Sequence, residues 1–420
     1  MLYSYFVISA CVPSIHADSW KLFFYMDASD GLSDMAWKNI TDIMRGNPGG
    51  QVDVSIQLHS YGDVALRYSV DDGMLKFVEA ISLSGDARQD FIDAASWAFA
   101  NTTADHTMLV LSDHGWGALD PYWDDIAEAW AVAELIMSHD GPVTCPVADL
   151  SKKRYKLLAE HHKKHRAFMF NGNTHTYLSN ADMIAGLAYI QQSVLHKKKI
   201  DVLAFDTCMG CMAEIATYVA PYADYLVGVQ SCALVDGFPY QEFIAALNKG
   251  NAARQTVAEF IHAFDAYYTV HDDAGIYTCT ALDLSCMDAL NAKLNIAVEK
   301  LLAQAHYLPH IQVAHDQTPR FCLWPIYTDV VAFLKLVEQN LIENYAIHDA
   351  DGILPALRDV YHAVKLAVIA RCGGFTTQGK AYGIAIYLPH AMIDDSYRTC
   401  AFAQTSQWIQ LLHALCSAGS

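Results

Sequence analysis

The residues best suited to chemistry stand where two apolar runs of the chain end. The run "MLVLSDHG" ends in His114 and Gly115, and "VLAFDTC" ends in Cys208. A cysteine becomes a strong nucleophile when a neighbouring base favours its thiolate form. Gly115 leaves room for a substrate carbonyl, and the N–H groups of Gly115 and Cys208 are candidates for binding a developing oxyanion. This set predicts a nucleophile, a base and an oxyanion site.

Cys208 has two other interpretations. With Cys211 it forms a CxxC motif after a strand and at a helix start, which is the placement of a thiol-disulfide redox pair. Cysteine is also among the most buried residue types, so a single cysteine at a strand end is often only a packing residue. A redox domain of this kind is small and carries its motif early, whereas this motif lies mid-chain. The matching His-Gly strand end favours the nucleophile.

Strands and helices alternate around these residues. Strands are predicted at "WKLFFYMDA", "VDVSIQLH", "HTMLVLS", "IDVLAFD" and "YLVGVQS", with a hairpin at "VALRYSVDDGMLKFVEA" and helices between the strands. Continuous apolar strands alternating with helices are typical of an α/β fold whose mostly parallel sheet is buried on both faces. The carboxyl ends of such strands share one edge, so His114 and Cys208 are expected to meet. A helix predicted directly after Cys208 would lower the pKa of its thiol.

The pattern divides the chain into three regions. Residues 1–17 resemble a signal or lipoprotein leader, and residues 18–250 form the predicted core, interrupted by a polar, basic insertion at about 120–176. Residues 251–420 are mainly helical, with "IYTCTALDL" and "YGIAIYLP" as late strands able to join the core.

Composition limits the classes of function. Hydrophobic residues make up 53% and charged residues 17% of the 420 residues, which is typical of a globular chain. The net charge of -19 repels phosphate backbones and excludes nucleic acid as an expected partner. The 11 cysteines are scattered through apolar segments, as reduced core cysteines are, rather than arranged as a disulfide framework.

The N-terminal segment "MLYSYFVISACVPSIHADSW" indicates export. Within it, "ISAC" resembles a bacterial lipobox that would make Cys11 lipidated, and "IHA" before Asp18 resembles a cleavage site. The segment lacks the Lys or Arg of a secretory leader, so a frayed terminus or buried edge strand is the alternative. We expect secretion or the cell envelope of a bacterium, with a membrane contact only through lipidated Cys11, and leave the cytoplasm open.

Five segments together resemble one known family. They are "DHGWG", "FDTCMGCMAEIA", "YADYLVGVQ", "DGFPY" and "YGIAIYLP", which occur in the order found in the clostripain family of cysteine endopeptidases. That family is related in fold to caspases, legumain and gingipains. The resemblance covers most of residues 20–389 and implies a caspase-like α/β sandwich with a mostly parallel central sheet flanked by helices.

The resemblance also implies roles for individual residues. The family's His-Cys dyad falls on His114 and Cys208, and the aspartate at the base of its S1 pocket falls on Asp206. Substrates would then be proteins or peptides with Arg or Lys at P1, because a partly buried carboxylate favours a cationic side chain. Capping of the helix that follows is the alternative role for Asp206. Two further alternatives are a redox enzyme using Cys208 and Cys211, and an inactive caspase-like binding protein.

The segment between the dyad positions departs from the family pattern. Asn171 and Gly172 stand where acidic residues are expected, which disfavours the calcium dependence known in some relatives; no cofactor is expected for the chemistry, and the metal requirement is left open. Relatives are activated by cleavage in this segment, and the Asp206 pocket would accept its basic residues. A solvated basic helix face is the alternative. The candidate processing residues are Lys152, Lys153, Arg154, Lys156, Lys163, Lys164 and Arg166.

Overall fold

The computed structural model describes most of the chain. The described residues are 18–29, 31–50, 52–120, 168–171, 173–174, 176–303, 305–321, 326–345 and 352–418. The predicted leader, Cys11, Gly172 and all seven candidate processing residues lie outside these ranges.

The N-terminal part forms the predicted β-α-β unit followed by a hairpin. Its elements are β1 (Trp20–Asp27), α1 (Ser33–Gly46), β2 (Val52–Tyr61), β3 (Val64–Asp71), β4 (Met74–Ser82), α2 (Ala87–Ala98) and β5 (His106–Ser112). All of these elements agree with the sequence prediction.

A second group of elements carries the cysteine. It comprises β6 (Phe168–Asn171), β7 (Thr176–Leu178), α3 (Asn180–Tyr189) with a π-helical turn (Ile190–Val194), β8 (Ile200–Asp206), α4 (Ala213–Val219) and β9 (Ala223–Gly228). The helix predicted between β8 and β9 is present as α4, but it begins only at Ala213, so the expectation that a helix starts directly after Cys208 is wrong. The intervening residues turn instead, with Met209 in the left-handed region at φ 55°.

The C-terminal part is mainly helical, as predicted. Its helices are α5 (Tyr240–Leu247), α6 (Ala253–His271), α7 (Met287–Leu302), α8 (Leu308–Gln317), α9 (Val330–Tyr345), α10 (Ile353–Ala367), α11 (Asp395–Thr399), α12 (Ala401–Thr405) and α13 (Trp408–Ala418). In the described residues of this part, four strands lie among the helices: β10 (Thr278–Asp283), β11 (Tyr327–Asp329), β12 (Val368–Gly373) and β13 (Ala385–Tyr387).

One large sheet organises these elements. Its strand order is β12-β10-β9-β8-β5-β1-β2-β3-β4, and the five central strands from β9 to β2 run parallel. The late strand β10 joins this sheet antiparallel to β9, while β12, which the sequence pattern did not predict, forms the edge. The segment "YGIAIYLP" instead contributes β13 to a two-stranded sheet with β11.

Both faces of the large sheet are buried. Along β1, Phe23 and Tyr25 pack on one face with residues of α2, α3 and α7, whereas Leu22 and Phe24 pack on the other with residues of α1, α5 and α6. Alternate side chains of a strand point to opposite faces, so an uninterrupted apolar run fits a strand covered on both sides. The molecule is therefore the predicted α/β sandwich. No helix in the part of the chain described here is long and apolar enough to cross a bilayer.

Candidate active site

The loops that carry His114 and Cys208 start side by side. Strands β5 and β8 are parallel neighbours, and Ser112 at the end of β5 pairs with Asp206 at the end of β8. The next amide, that of Asp113, donates a hydrogen bond to the Asp206 carbonyl at 3.3 Å. The carboxyl edge of the sheet thus brings together the two predicted loops, as expected for parallel strands.

A cavity of ≈ 250 Å³ lies at this edge. All four residues predicted to act in the site line it: His114, Gly115, Asp206 and Cys208. His114 and Cys208 are half-buried, so both remain accessible from the cavity. Further wall residues include Asp27, Met35, Asn39, Asp113, Trp116 and Val235.

Gly115 is required by a close backbone approach. A Cβ atom at this position would lie 2.5 Å from the Cys208 carbonyl oxygen and 2.8 Å from the Thr207 side chain. Such distances are far inside van der Waals contact. The Thr207–Cys208 segment therefore fills the space that a side chain would occupy here. The expectation that Gly115 leaves this space open for a substrate carbonyl is wrong.

The Cys208 loop is held from the opposite side by the segment after β9. The Ala233 amide donates to the Cys208 Sγ at 3.3 Å, and the Met209 amide donates to the Ser231 carbonyl at 2.9 Å. A hydrogen bond from an amide N–H favours the negatively charged form of the atom that accepts it, which for a cysteine is the thiolate. The amide beside the sulfur comes from this segment and not from the start of α4.

Cys211 has a different environment from Cys208. Its side chain is fully buried, its Sγ donates to the Gly383 carbonyl at 3.2 Å, and burial raises the pKa of its thiol well above the ordinary value. Neither cysteine forms a disulfide. A redox pair needs a reactive, accessible thiol, and a buried thiol with a raised pKa is inert. The environment of Cys211 is that of a core residue and gives the redox interpretation no support.

Asp206 is almost completely buried, at 6% exposure. Its Oδ2 accepts hydrogen bonds from the Tyr240 hydroxyl at 2.6 Å and the Phe238 amide at 3.2 Å. Burial raises the pKa of Asp206 to about 6, and these two bonds oppose that rise. The alternative that Asp206 caps the following helix is wrong, because α4 begins after Met212 and has no side-chain cap.

A series of hydrogen-bonded, buried polar side chains reaches the cavity, and the sequence did not predict it. Asp27 at the end of β1 accepts hydrogen bonds from His59 Nδ1 at 3.2 Å and from Asn171 Nδ2 at 3.1 Å. His59 Nε2 lies 2.9 Å from the Gln57 amide nitrogen, and Gln57 Oε1 accepts from Arg67 at 2.9 Å. The Gln57 amide nitrogen can only donate, so His59 Nε2 accepts this hydrogen bond. His59 Nδ1 therefore carries the ring proton and donates a hydrogen bond to Asp27. A polar residue at the end of each neighbouring strand was the available signal.

Two groups bear on metal binding. Within the described ranges, the one set of three His, Cys, Asp or Glu side chains close enough to share an ion is His315, Asp316 and His390. Calcium prefers six to eight oxygen ligands, so this mixed set does not suit it. Asn171 is already occupied, because its Oδ1 accepts from the amides of Asn173 and Thr174.

The fold and the cavity together define an α/β protein with a thiol, an imidazole and a buried carboxylate at the carboxyl edge of its sheet. The family model for the clostripain family matches residues 160–403. The chain therefore belongs to the clostripain family of cysteine peptidases, which are hydrolases, and the resemblance seen in the sequence is confirmed.

Solved structures agree in fold over nearly the whole chain. A secreted C11 cysteine protease from Bacteroides thetaiotaomicron, in complex with an irreversible peptide inhibitor, has a TM-score of 0.64 at 14% identity, covering 94% of this chain and 98% of that one. An inactive zymogen C11 protease from Parabacteroides distasonis has a TM-score of 0.57 at 14% identity, covering 94% of this chain and 97% of that one. A search of curated proteins gave no significant match.

Proposed function

We propose that the protein is a cysteine endopeptidase in which Cys208 attacks the scissile carbonyl and His114 protonates the leaving amine. The observation that carries this proposal is that His114, Cys208 and Asp206 line one and the same cavity. Attack by the thiolate gives an acyl-enzyme, which water then hydrolyses with His114 acting as base. Half-burial leaves both side chains open to a peptide that enters the cavity.

The N–H groups of Gly115 and Cys208 would stabilise the tetrahedral oxyanion. The close approach at Gly115 supports this, because it holds the two backbone segments against each other. One oxyanion donor contributes about 3 to 4 kcal/mol in comparable sites. Fixing the donors before the reaction avoids reorganisation as charge develops.

We assign the S1 pocket to Asp206 and the P1 preference to Arg and Lys. Three carboxylates, those of Asp27, Asp113 and Asp206, line the cavity, and the lining residues given by the structure include no Lys or Arg. The apolar walls Met35 and Ala36 suit the methylene stem of a basic side chain. Asp206 supplies the buried anion that a charge-assisted hydrogen bond requires.

We also propose that the chain is processed by its own activity within the basic insertion. The support is the run of basic residues between Lys152 and Arg166, which the Asp206 pocket would accept. Wild-type protein should then separate under denaturing conditions into two fragments produced by cleavage within that run, whereas Cys208→Ala should remain intact. A fully active, uncut wild-type chain would leave the run as a solvated surface.

Export is proposed from the N-terminal segment. The "ISAC" and "IHA" segments support either a lipidated Cys11 or a mature chain beginning at Asp18. Mass spectrometry of protein expressed in a bacterium with lipoprotein processing distinguishes the two. An unprocessed N-terminus starting at Met1 would overturn both.

A peptide panel tests the proposed activity and specificity together. Matched fluorogenic peptides with Arg, Lys, Asp or Asn at P1 should be hydrolysed in the Arg and Lys cases only. Cys286→Ala serves as the control variant, because Cys286 is half-buried and does not line the cavity. No hydrolysis by a folded wild-type protein, with retained peptide binding, would favour the inactive binding protein.

A further inference from the structure

A second thiol shares the cavity with Cys208. Cys232, in the segment after β9, lines the same cavity and is also half-buried. Both cysteines pack against the same hydrophobic cluster, and neither forms a disulfide. The cavity therefore exposes two thiols to any small solute that enters it.

The two cysteines are within reach of a covalent bond. The hydrogen bond from the Ala233 amide to the Cys208 Sγ, at 3.3 Å, fixes the start of the next residue against the sulfur. Covalent geometry then places the Cα of Cys232 within about 6 Å of that sulfur. The hydrogen bond from the Met209 amide to the Ser231 carbonyl, at 2.9 Å, holds the two segments side by side one residue further on. Both side chains also line the same cavity, so small side-chain adjustments can bring the two sulfurs to bonding distance.

Cys211 is a poor competitor for the same bond although it is closer in sequence. It is fully buried, it does not line the cavity, and its Sγ is occupied by the Gly383 carbonyl. The backbone between the two residues is also fixed, because the amides of Met209 and Cys211 donate to the carbonyls of Ser231 and Val229.

We propose that Cys232 is a resolving thiol that protects the nucleophile Cys208 against hydroperoxides. In the first step the Cys208 thiolate attacks hydrogen peroxide, the O–O bond breaks, and with one proton the products are a sulfenic acid and water. In the second step the Cys232 sulfur attacks the Cys208 sulfur, its thiol proton leaves with the hydroxyl as water, and a disulfide forms. Thiol reductants restore both cysteines.

The disulfide changes how the peptidase responds to oxidation. Without a resolving thiol, the sulfenic acid is oxidised further to a sulfinic acid, which simple thiols do not reduce. With Cys232 beside it, the enzyme is switched off reversibly. The activity part of this inference rests on the proposed role of Cys208 as nucleophile, whereas the formation of the bond does not.

The test compares three full-length proteins exposed to hydrogen peroxide and then to dithiothreitol: wild type, Cys232→Ser and the control Cys286→Ser. Intact mass and peptide mapping identify the oxidised species, and Arg-peptide hydrolysis is scored against each protein's own untreated activity. Wild type and Cys286→Ser should lose two hydrogen atoms, yield a peptide linking Cys208 to Cys232, and recover most of their activity. Cys232→Ser should gain oxygen at Cys208 and recover little.

Two results would overturn the inference. One is a sulfinic acid at Cys208 forming as readily in wild type as in Cys232→Ser, and the other is a disulfide that joins Cys208 to Cys211 instead. A folded wild-type protein that hydrolyses no peptide would count against the proposed peptidase alone, because the mass measurement still decides whether the disulfide forms. If Cys232→Ser folds poorly, Cys232→Ala replaces it, with thermal unfolding as the check.

Discussion

The Tyr240 hydroxyl donates a hydrogen bond of 2.6 Å to the Asp206 carboxylate. This bond joins the end of β8 to the first residue of α5, and the Phe238 amide adds a second bond to the same oxygen. A buried carboxylate costs free energy unless donors satisfy it, so this loop both shapes the cavity and keeps Asp206 able to ionise.

Ionisation of Asp206 should control the preference for basic substrates. Burial raises the pKa of this carboxyl to about 6, so the anion that binds a P1 cation forms as pH rises through that value. The ratio of kcat/KM for an Arg peptide to that for a matched neutral peptide should increase from pH 5 to pH 8. Any effect of pH on kcat/KM that is common to both peptides cancels in this ratio.

Asp206→Asn is the matched variant for that measurement. It should reduce the Arg preference at pH 8 by about 2 kcal/mol, because a desolvated charge-assisted pair is lost, and should make the ratio independent of pH. An unchanged Arg preference in the variant would remove Asp206 from the S1 pocket.

Gly115→Ala should inactivate the enzyme while leaving it folded. The added Cβ would lie 2.5 Å from the Cys208 carbonyl oxygen, so either the His114 loop or the nucleophile must move. Shifts of about 1 Å in a catalytic geometry cost on the order of a hundredfold in rate. Single-turnover hydrolysis and circular dichroism together measure the effect.

Gly379→Ala is the control for that substitution. Gly379 has φ 72°, and a Cβ there would meet nothing within 4 Å, so alanine adds backbone strain without a steric contact. If the two variants retain equal activity, the close approach at Gly115 has no part in catalysis.

Some of this architecture follows from local sequence. The centres of strands β1, β5 and β8 are the continuous apolar runs "LFFYM", "MLVL" and "VLAF", which fit strands buried on both faces. Polar residues that line the cavity stand at the ends of these strands. The edge strand β12 has mostly half-buried residues and no alternation of polar and apolar side chains, so nothing in "VIARCG" distinguishes it.

Other features depend on contacts between distant segments. The turn between Cys208 and the start of α4 is one such feature, because the Met209 amide donates to the Ser231 carbonyl of a distant segment. Likewise, the chain of Asp27, His59 and Asn171 combines three strands, and no spacing in the sequence joins them. That Cys208 and His114 line one cavity was predictable, because each follows the end of an apolar strand in the sequence.

Stability should fall as pH rises, through Glu214. This α4 side chain is fully buried: its Oε1 accepts from the Tyr387 amide and the Tyr397 hydroxyl, each at 3.0 Å, and its buried Oε2 has no hydrogen-bond partner in the described part of the chain. Burial raises the pKa of Glu214 from 4.5 to about 7. Between these values the unfolded chain loses a proton that the folded chain keeps, so the free energy of unfolding decreases from pH 4.5 to pH 7.

Glu214→Gln should weaken that decrease, because the amide stays neutral. Thermal unfolding of wild type, Glu214→Gln and the exposed control Glu299→Gln at pH 5 and pH 8 makes the comparison. Wild type and Glu299→Gln should lose more stability at pH 8 than Glu214→Gln does. Identical pH dependence in all three would mean that Glu214 is ionised in the folded protein without cost.

Activity should survive chelation of calcium. Asn171 stands where an acidic residue is expected in relatives, and both ends of its side chain are occupied by Asp27 and by backbone amides. Hydrolysis of an Arg peptide should be equal before and after treatment with EGTA. Loss of activity that added calcium restores, and magnesium does not, would show a calcium site.

The most direct measurement of the central claim compares Cys208→Ala with Cys211→Ala on one Arg peptide. Of these two cysteines, Cys208 lines the cavity with His114, whereas Cys211 is buried against the Gly383 carbonyl. Cys208→Ala should lower kcat/KM by at least about a thousandfold while the protein stays folded, because the covalent step is lost. Cys211→Ala should keep most of the activity. Equal loss in two folded variants, together with reduction of insulin disulfides by the wild type, would contradict the peptidase and establish the redox pair.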